Sequence, residues 1–167
     1  MSKLIDEIRE WNTPIIGAYL LWNFTQGYST NHPYGDSPIV ILHFIANAIL
    51  SSNVLCEDIS GRRTNLESYV RSFTENKKSD LLASIQQRTI EKRSNTMAAI
   101  DIAVSSGLLV WDTENATLHA HNITRLKRGG RKLGKTIIDR AKQANVLGGW
   151  FSSHDIASIT SYLGVVL

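Results

Sequence analysis

The chain has 167 residues, 43% of them hydrophobic and 20% charged, with a formal net charge of +3. These totals describe one globular domain that can bury a core without staples. A single cysteine, Cys56, excludes an internal disulfide and fits a reducing compartment. The first ten residues are charged and have no apolar signal region, and the longest apolar-dominated run, residues 38–50, is broken by His43 and Asn47 and too short to span a bilayer. The expected location is cytoplasmic.

Residues 3–11 read as a short amphipathic helix capped by Ser2, with Leu4, Ile8 and Trp11 on one face. Thr13-Pro14 opens a second helix, to about Gln26, where Gly27 is the expected stop. That helix is apolar on most sides, so it is either buried or half of it faces a partner. Trp22 and Phe24 are the candidate contacts on such a face. Ser37-Pro38 opens the next element by the same cap-plus-proline pattern. Its β-branched start leaves a strand open for its first half, while its length favours a buried helix carrying His43 as a core histidine with a backbone partner. Thr64-Asn-Leu-Glu67 has capping-box spacing, predicting a helix to about Phe73.

Ser79 caps a helix with Leu81, Leu82 and Ile85 inward, and Ser94 caps another over residues 95–106 that Gly107 ends. Two short apolar segments, 108–111 and 116–121, flank Asp112-Thr-Glu-Asn115 as a β-hairpin. Helix, short link, helix, hairpin is the order of a winged helix. The expected fold is therefore mainly α with a small β-hairpin, a winged-helix-like helical domain. Its parts are an N-terminal helical part (1–74), a winged-helix-like part (79–121), and a basic loop with C-terminal helices (122–167). The second helix of the winged part carries Asp101 and no Arg or Lys in its middle, which makes it a poor reader of base edges.

Charge is unevenly distributed. Residues 122–142 hold eight cations and one acid, a local +7, leaving −4 on the rest of the chain. Arg125, Lys127, Arg128, Arg131, Lys132 and Lys135 are the candidate contacts to a nucleic-acid backbone. Within this block, Gly129-Gly-Arg-Lys-Leu-Gly134-Lys135-Thr136 fits the spacing of a phosphate-cradling loop followed by a helix over 137–144. The context of that motif is missing. A charged segment precedes it, and the 31 residues after it hold no strand ending in a Mg²⁺-binding Asp. His119 and His121 share a face of the hairpin without a Cys or acid to complete a metal site, and Ser152, Ser153 and His154 are adjacent, unlike a catalytic Ser–His pair. No catalytic residue, metal site or cofactor is expected.

The C-terminal stretch is apolar. Ile156, Ile159 and Leu163 form one helical stripe expected to pack inward. Gly148-Gly149 is expected to act as a hinge that folds the last helix back, with Trp150 and Phe151 at the join as candidate partner contacts.

Three blocks carry a family resemblance: Thr-Pro-Ile-Ile-Gly-Ala-Tyr-Leu-Leu-Trp-Asn-Phe at 13–24, residues 97–112 with Gly107-Leu-Leu, and Ala-Lys-Gln-Ala-Asn-Val-Leu-Gly-Gly-Trp-Phe at 141–151 running on to Leu163-Gly-Val165. In that order they resemble the middle component of bacterial three-component ABC systems, the Lamassu-like anti-phage and anti-plasmid group. Ile16 and Trp22-Asn23 stand where that family has a Glu and an Asn-Pro. The resemblance implies a non-enzymatic adaptor subunit. It would link an SMC/Rad50-like ATPase to an effector nuclease in a DNA-sensing defence complex. The alternative is a stand-alone winged-helix DNA-binding regulator.

Overall fold

A computed structural model describes residues 11–60, 63, 65–122 and 133–167. Among them are eight helices and one hairpin: α1 Pro14–Asn31, α2 Val40–Leu50, α3 Asn53–Cys56, α4 Leu66–Glu75, α5 Ser79–Glu91, α6 Arg93–Ser105, β1 Leu109–Asp112, β2 Thr117–Ala120, α7 Lys135–Ser152 and α8 Ile156–Leu163. The fold is mainly helical and winged-helix-like. The predicted helix over 3–11 lies outside the described residues except for Trp11, which is buried.

The molecule is built on α1 and α7. Helix α1 starts at Pro14, whose ring fixes φ and whose missing N–H would have had no partner in the first turn. It does not stop at Gly27. It runs on to Asn31 and ends where His32 turns extended, before Pro33. Gly27 and Gly148 are packing contacts instead. A Cβ on Gly27 would lie 2.0 Å from the Asn145 carbonyl oxygen, and one on Gly148 would lie 2.0 Å from the Phe24 carbonyl oxygen. The two backbones therefore touch, which only glycine permits. The expected hinge at Gly148-Gly149 is corrected in the same way: α7 is continuous through both glycines, and the chain turns at Ser153-His154. Contacts advance together along the two helices, from Asn23 with Asn145 to Asn31 with Gly149, so α1 and α7 run parallel.

Helix α6 packs on the other side of α1, with Gly17 against Ala99. It begins at Arg93, one residue before the expected Ser94 cap, and has no side-chain cap. Its stop matches the sequence reading, since Gly107 takes φ +80°. The hairpin pairs Leu109 with Ala120 and Asp112 with Thr117, and the Asp112 carboxylate accepts the Glu114 and Asn115 N–H groups to close the turn.

The hairpin also gains a third partner. Ile39 bridges Thr117, the Leu118 N–H donates to the Pro38 carbonyl, and the Val40 N–H donates to that of Ala116. Pro38-Ile39 is thus extended, and α2 starts two residues later than the Ser37-Pro38 pattern suggested. The winged-helix-like arrangement consequently draws on α1, this short extended segment and α2 as well as on α6 and the hairpin.

Two arginines close the C-terminal end of α2, where four carbonyls lack helical partners. Arg88 of α5 donates to the Ala48 and Ser51 carbonyls. Arg140 of α7 donates to the Leu50 carbonyl and the Asn53 side chain, and its guanidinium lies 4.0 Å from the Trp11 ring centroid. Inside α2, His43 fills the expected core role. Its Nδ1 donates to the Ile39 and Val40 carbonyls at 3.2 Å, and its Nε2 lies 2.9 Å from the Thr25 hydroxyl. Burial holds its pKa down at about 4.

Helix α4 is capped by Asn65, whose side chain accepts the Ser68 N–H. Thr64 lies outside the described residues. In α5, Ser79 is the first helical residue and not the cap. Helix α8 is capped by Asp155, which accepts the Ser158 N–H and is thereby held below the usual carboxylate pKa. Ile159 and Leu163 pack inward as expected, with Ile156 half-buried. Gly164 ends α8 in the left-handed region, and Val165 is buried.

Candidate interaction surfaces

The four aromatics expected to face a partner are in the core. Phe24 and Phe151 are 0% exposed and meet edge to face at 5.5 Å between centroids. Trp150 is 6% exposed and packs on Tyr69, while Trp22 is 9% exposed and its indole donates to the His121 carbonyl. Their apolar area is already covered by the chain itself, at a gain of roughly 2–3 kcal/mol per ring. A docked protein would find almost none of it. The expectation of a partner face on these residues is corrected accordingly.

Of the predicted backbone-binding cations, Arg125, Lys127, Arg128, Arg131 and Lys132 lie outside the described residues. Lys135 is exposed at the first position of α7, next to exposed Leu133, Gly134 and Thr136. Arg140 belongs to the same basic block in sequence but is 6% exposed and committed to the α2 terminus. The signal for that difference is weak in sequence. Arg140 sits one residue before Ala141 and four before Ala144, both buried, so it falls on the inward stripe of α7.

The glycine-rich motif is entered from no strand among the described residues. The only described sheet is the antiparallel hairpin, ending at Ala120. A phosphate-cradling loop needs a parallel strand running into it. His119 is hydrogen-bonded to Ser37 Oγ at 2.8 Å, and both His119 and His121 are exposed. No group of three His, Cys, Asp or Glu side chains lies together among the described residues.

Four open depressions stand out among the described residues, one of them, about 190 Å³, bordered by Ile41, Phe44, Ile90 and Val165–Leu167. The largest, about 720 Å³, lies between the α2–α3 corner and α5 and is bordered by Ser52, Leu81, Ser84, Arg88 and Lys92. Its cations already serve the fold, since Arg88 closes α2 and Lys92 bonds the Asn12 side chain. A polar depression of about 500 Å³ lies beside the hairpin, bordered by Ser37, His119 and Asn145. A third, of about 410 Å³, lies between α1 and α7 and is bordered by Tyr19, Asn23, Ile138, Ala141, Lys142 and Val146. The face of α6 turned to solvent carries Arg93, Ser94, Met97, Asp101 and Ser105. As a helix presented to DNA it would offer one cation at its first residue and an acid in its middle.

The fold is that of a small, mainly helical, winged-helix-like protein. The chain belongs to a family of middle components: the model of the ABC-three component (ABC-3C) system Middle Component 3 matches residues 1–167. It is therefore one component of a multi-component system and has protein partners. No match is found among curated proteins or solved structures. No helix among the described residues is long and apolar enough to cross a membrane.

Proposed function

We propose that this chain is a non-enzymatic adaptor. It joins an SMC/Rad50-like ATPase to an effector nuclease in a bacterial, Lamassu-like complex that senses phage or plasmid DNA. The observation that carries the reading is the match of the middle-component family over the whole chain. Several titratable residues of the described part are taken up by the fold itself. Asp155 and Asp112 hold backbone N–H groups, Arg88 and Arg140 hold carbonyls, and His43 is sealed in the core. The basic stretch 125–135 adds a sequence-independent contact to DNA phosphates.

The test is co-expression with the products of the neighbouring genes, among which the reading expects an SMC-like ATPase and an effector. A stable hetero-oligomer on size-exclusion chromatography is expected. A monodisperse monomer eluting away from both rejects the reading. The stand-alone regulator predicts instead a homodimer with a sequence-specific footprint.

A further inference from the structure

We infer that the solvent face of α6 is a self-association surface, on which a second copy of this chain packs antiparallel about a two-fold axis at Met97. The inference goes beyond the adaptor reading and stands independently of it.

Helix α6 turns Thr96, Ala99, Ile100 and Ala103 into the core. Its other side is open along a stripe. Arg93, Met97 and Asp101 are exposed at four-residue spacing, so they lie one above another. Ile90, 58% exposed, borders the same depression of about 190 Å³ as Arg93, so the stripe continues across the turn at Lys92. Beyond Asp101 it continues with half-buried Val104. Neither Arg93 nor Asp101 has a side-chain hydrogen bond or ion pair among the described residues. They stand about 12 Å apart along the helix, too far to pair with each other.

The pattern selects the occupant. Four residues before Met97 stands a cation and four after it an acid; seven before and seven after stand Ile90 and Val104. A two-fold axis through Met97 reverses the direction of the second helix, so each residue meets the one equally far on the other side of Met97. Arg93 then faces the partner's Asp101, and Asp101 faces the partner's Arg93. Met97 meets the partner's Met97, and Ile90 meets the partner's Val104 at each end. Both unpaired charges are satisfied in this one register. A shift of one turn sets Arg93 against the partner's Ser105 or the partner's Met97 instead. Exposed Ser94 and half-buried Ala98 flank Met97 and are small enough to let two helices approach. An unrelated protein has no need of residues arranged symmetrically about Met97, and duplex DNA would set Asp101 against phosphate. The pairing covers the face of α6 that a winged-helix regulator would present to DNA.

The test uses the full chain alone, by sedimentation equilibrium over a micromolar range. Wild type is compared with Arg93→Asp, Asp101→Arg and the double exchange, with circular dichroism and thermal melting as fold controls. Wild type is expected to dimerise. Each single reversal sets like charges together at both ends and should weaken dimerisation about tenfold or more. The double exchange restores both opposite pairs and should return it to within about threefold of wild type. In a second measurement Met97→Cys, oxidised with copper phenanthroline, should give a disulfide-linked dimer, while Lys142→Cys on α7 should not; the native Cys56 is buried and does not compete. A wild type that stays monomeric, single reversals that dimerise like wild type, or a double exchange as weak as the singles each overturns the inference. So does cross-linking of Lys142→Cys as readily as Met97→Cys. The adaptor reading is tested on the co-expressed complex and stands or falls separately.

Discussion

The two halves of α7 make opposite use of the same helix. In the C-terminal half, Leu147, Gly148, Trp150 and Phe151 are buried, and Gly148 lets the α1 backbone come into direct contact. In the N-terminal half, Lys135, Thr136, Ile138, Asp139 and Lys142 are exposed, and only Arg140 and Ala141 are turned fully inward. A rigid glycine-packed end holds the other end of the helix at a set distance from α1. The result is a groove of about 410 Å³ at a fixed place between the two helices.

The sharpest way to break the comparison lies in the closed half. Gly148→Ala places a methyl 2.0 Å from the Phe24 carbonyl oxygen, and backbone cannot rotate aside. A destabilisation on the order of 3 kcal/mol or more is expected in urea denaturation. The adjacent Gly149→Ala meets only the Asn31 side-chain nitrogen at 3.0 Å, which can move. Its expected cost is below about 1 kcal/mol. Equal effects for the two would mean that the seam is not a backbone contact.

A change of pH probes the packed core from which the seam extends. His43 titrates near 6.5 when unfolded and at about 4 in the fold, because burial penalises its charged form. The unfolded state then binds the proton more readily. Stability from this group is fully present above pH 6.5 and is lost as pH falls toward 4, a change of roughly 3 kcal/mol. Urea midpoints measured at pH 7 and pH 4.5 check it. His43→Gln, compared at the same two values, should show a flatter profile even if it is less stable throughout.

Smaller effects are expected in the open half, with one exception. Arg140→Met removes the donors that close α2 and should cost about 2 kcal/mol, read as a shift in urea midpoint. Lys142→Met, two residues on and exposed, should change stability by less than about 0.5 kcal/mol. Least of all should stability respond to replacing Lys127, Arg128, Arg131 and Lys132 together by Ala. That change should instead weaken DNA binding and lower the slope of log affinity against log salt by up to about 4, measured by fluorescence anisotropy. An unchanged slope would remove the phosphate-contact role of the stretch.

Much of the element order was legible from local signals. Thr13-Pro14, Gly107, the Asp112–Asn115 turn and the Ile159/Leu163 stripe each act within a few residues of themselves, and each stands where the sequence placed it. His43 likewise kept its backbone partners, because they lie three and four residues before it in the same turn. The family was legible as well, through short blocks spread over the whole chain.

What required the tertiary structure was the meaning of residues whose partners are far away in sequence. Gly27 and Gly148 look like a helix stop and a hinge, since glycine weakens a helix wherever nothing approaches it. Each is instead the close-approach point of a helix more than a hundred residues away. Four aromatics that could equally face a partner were claimed by the core once α1 and α7 met. Among eight clustered cations, only the packed helix distinguishes Arg140, bound to the end of α2, from Lys135 and Lys142, left in solvent. Local sequence sets which backbone conformations cost least. Which side chains remain available to another protein is decided only when the elements have taken their places against one another.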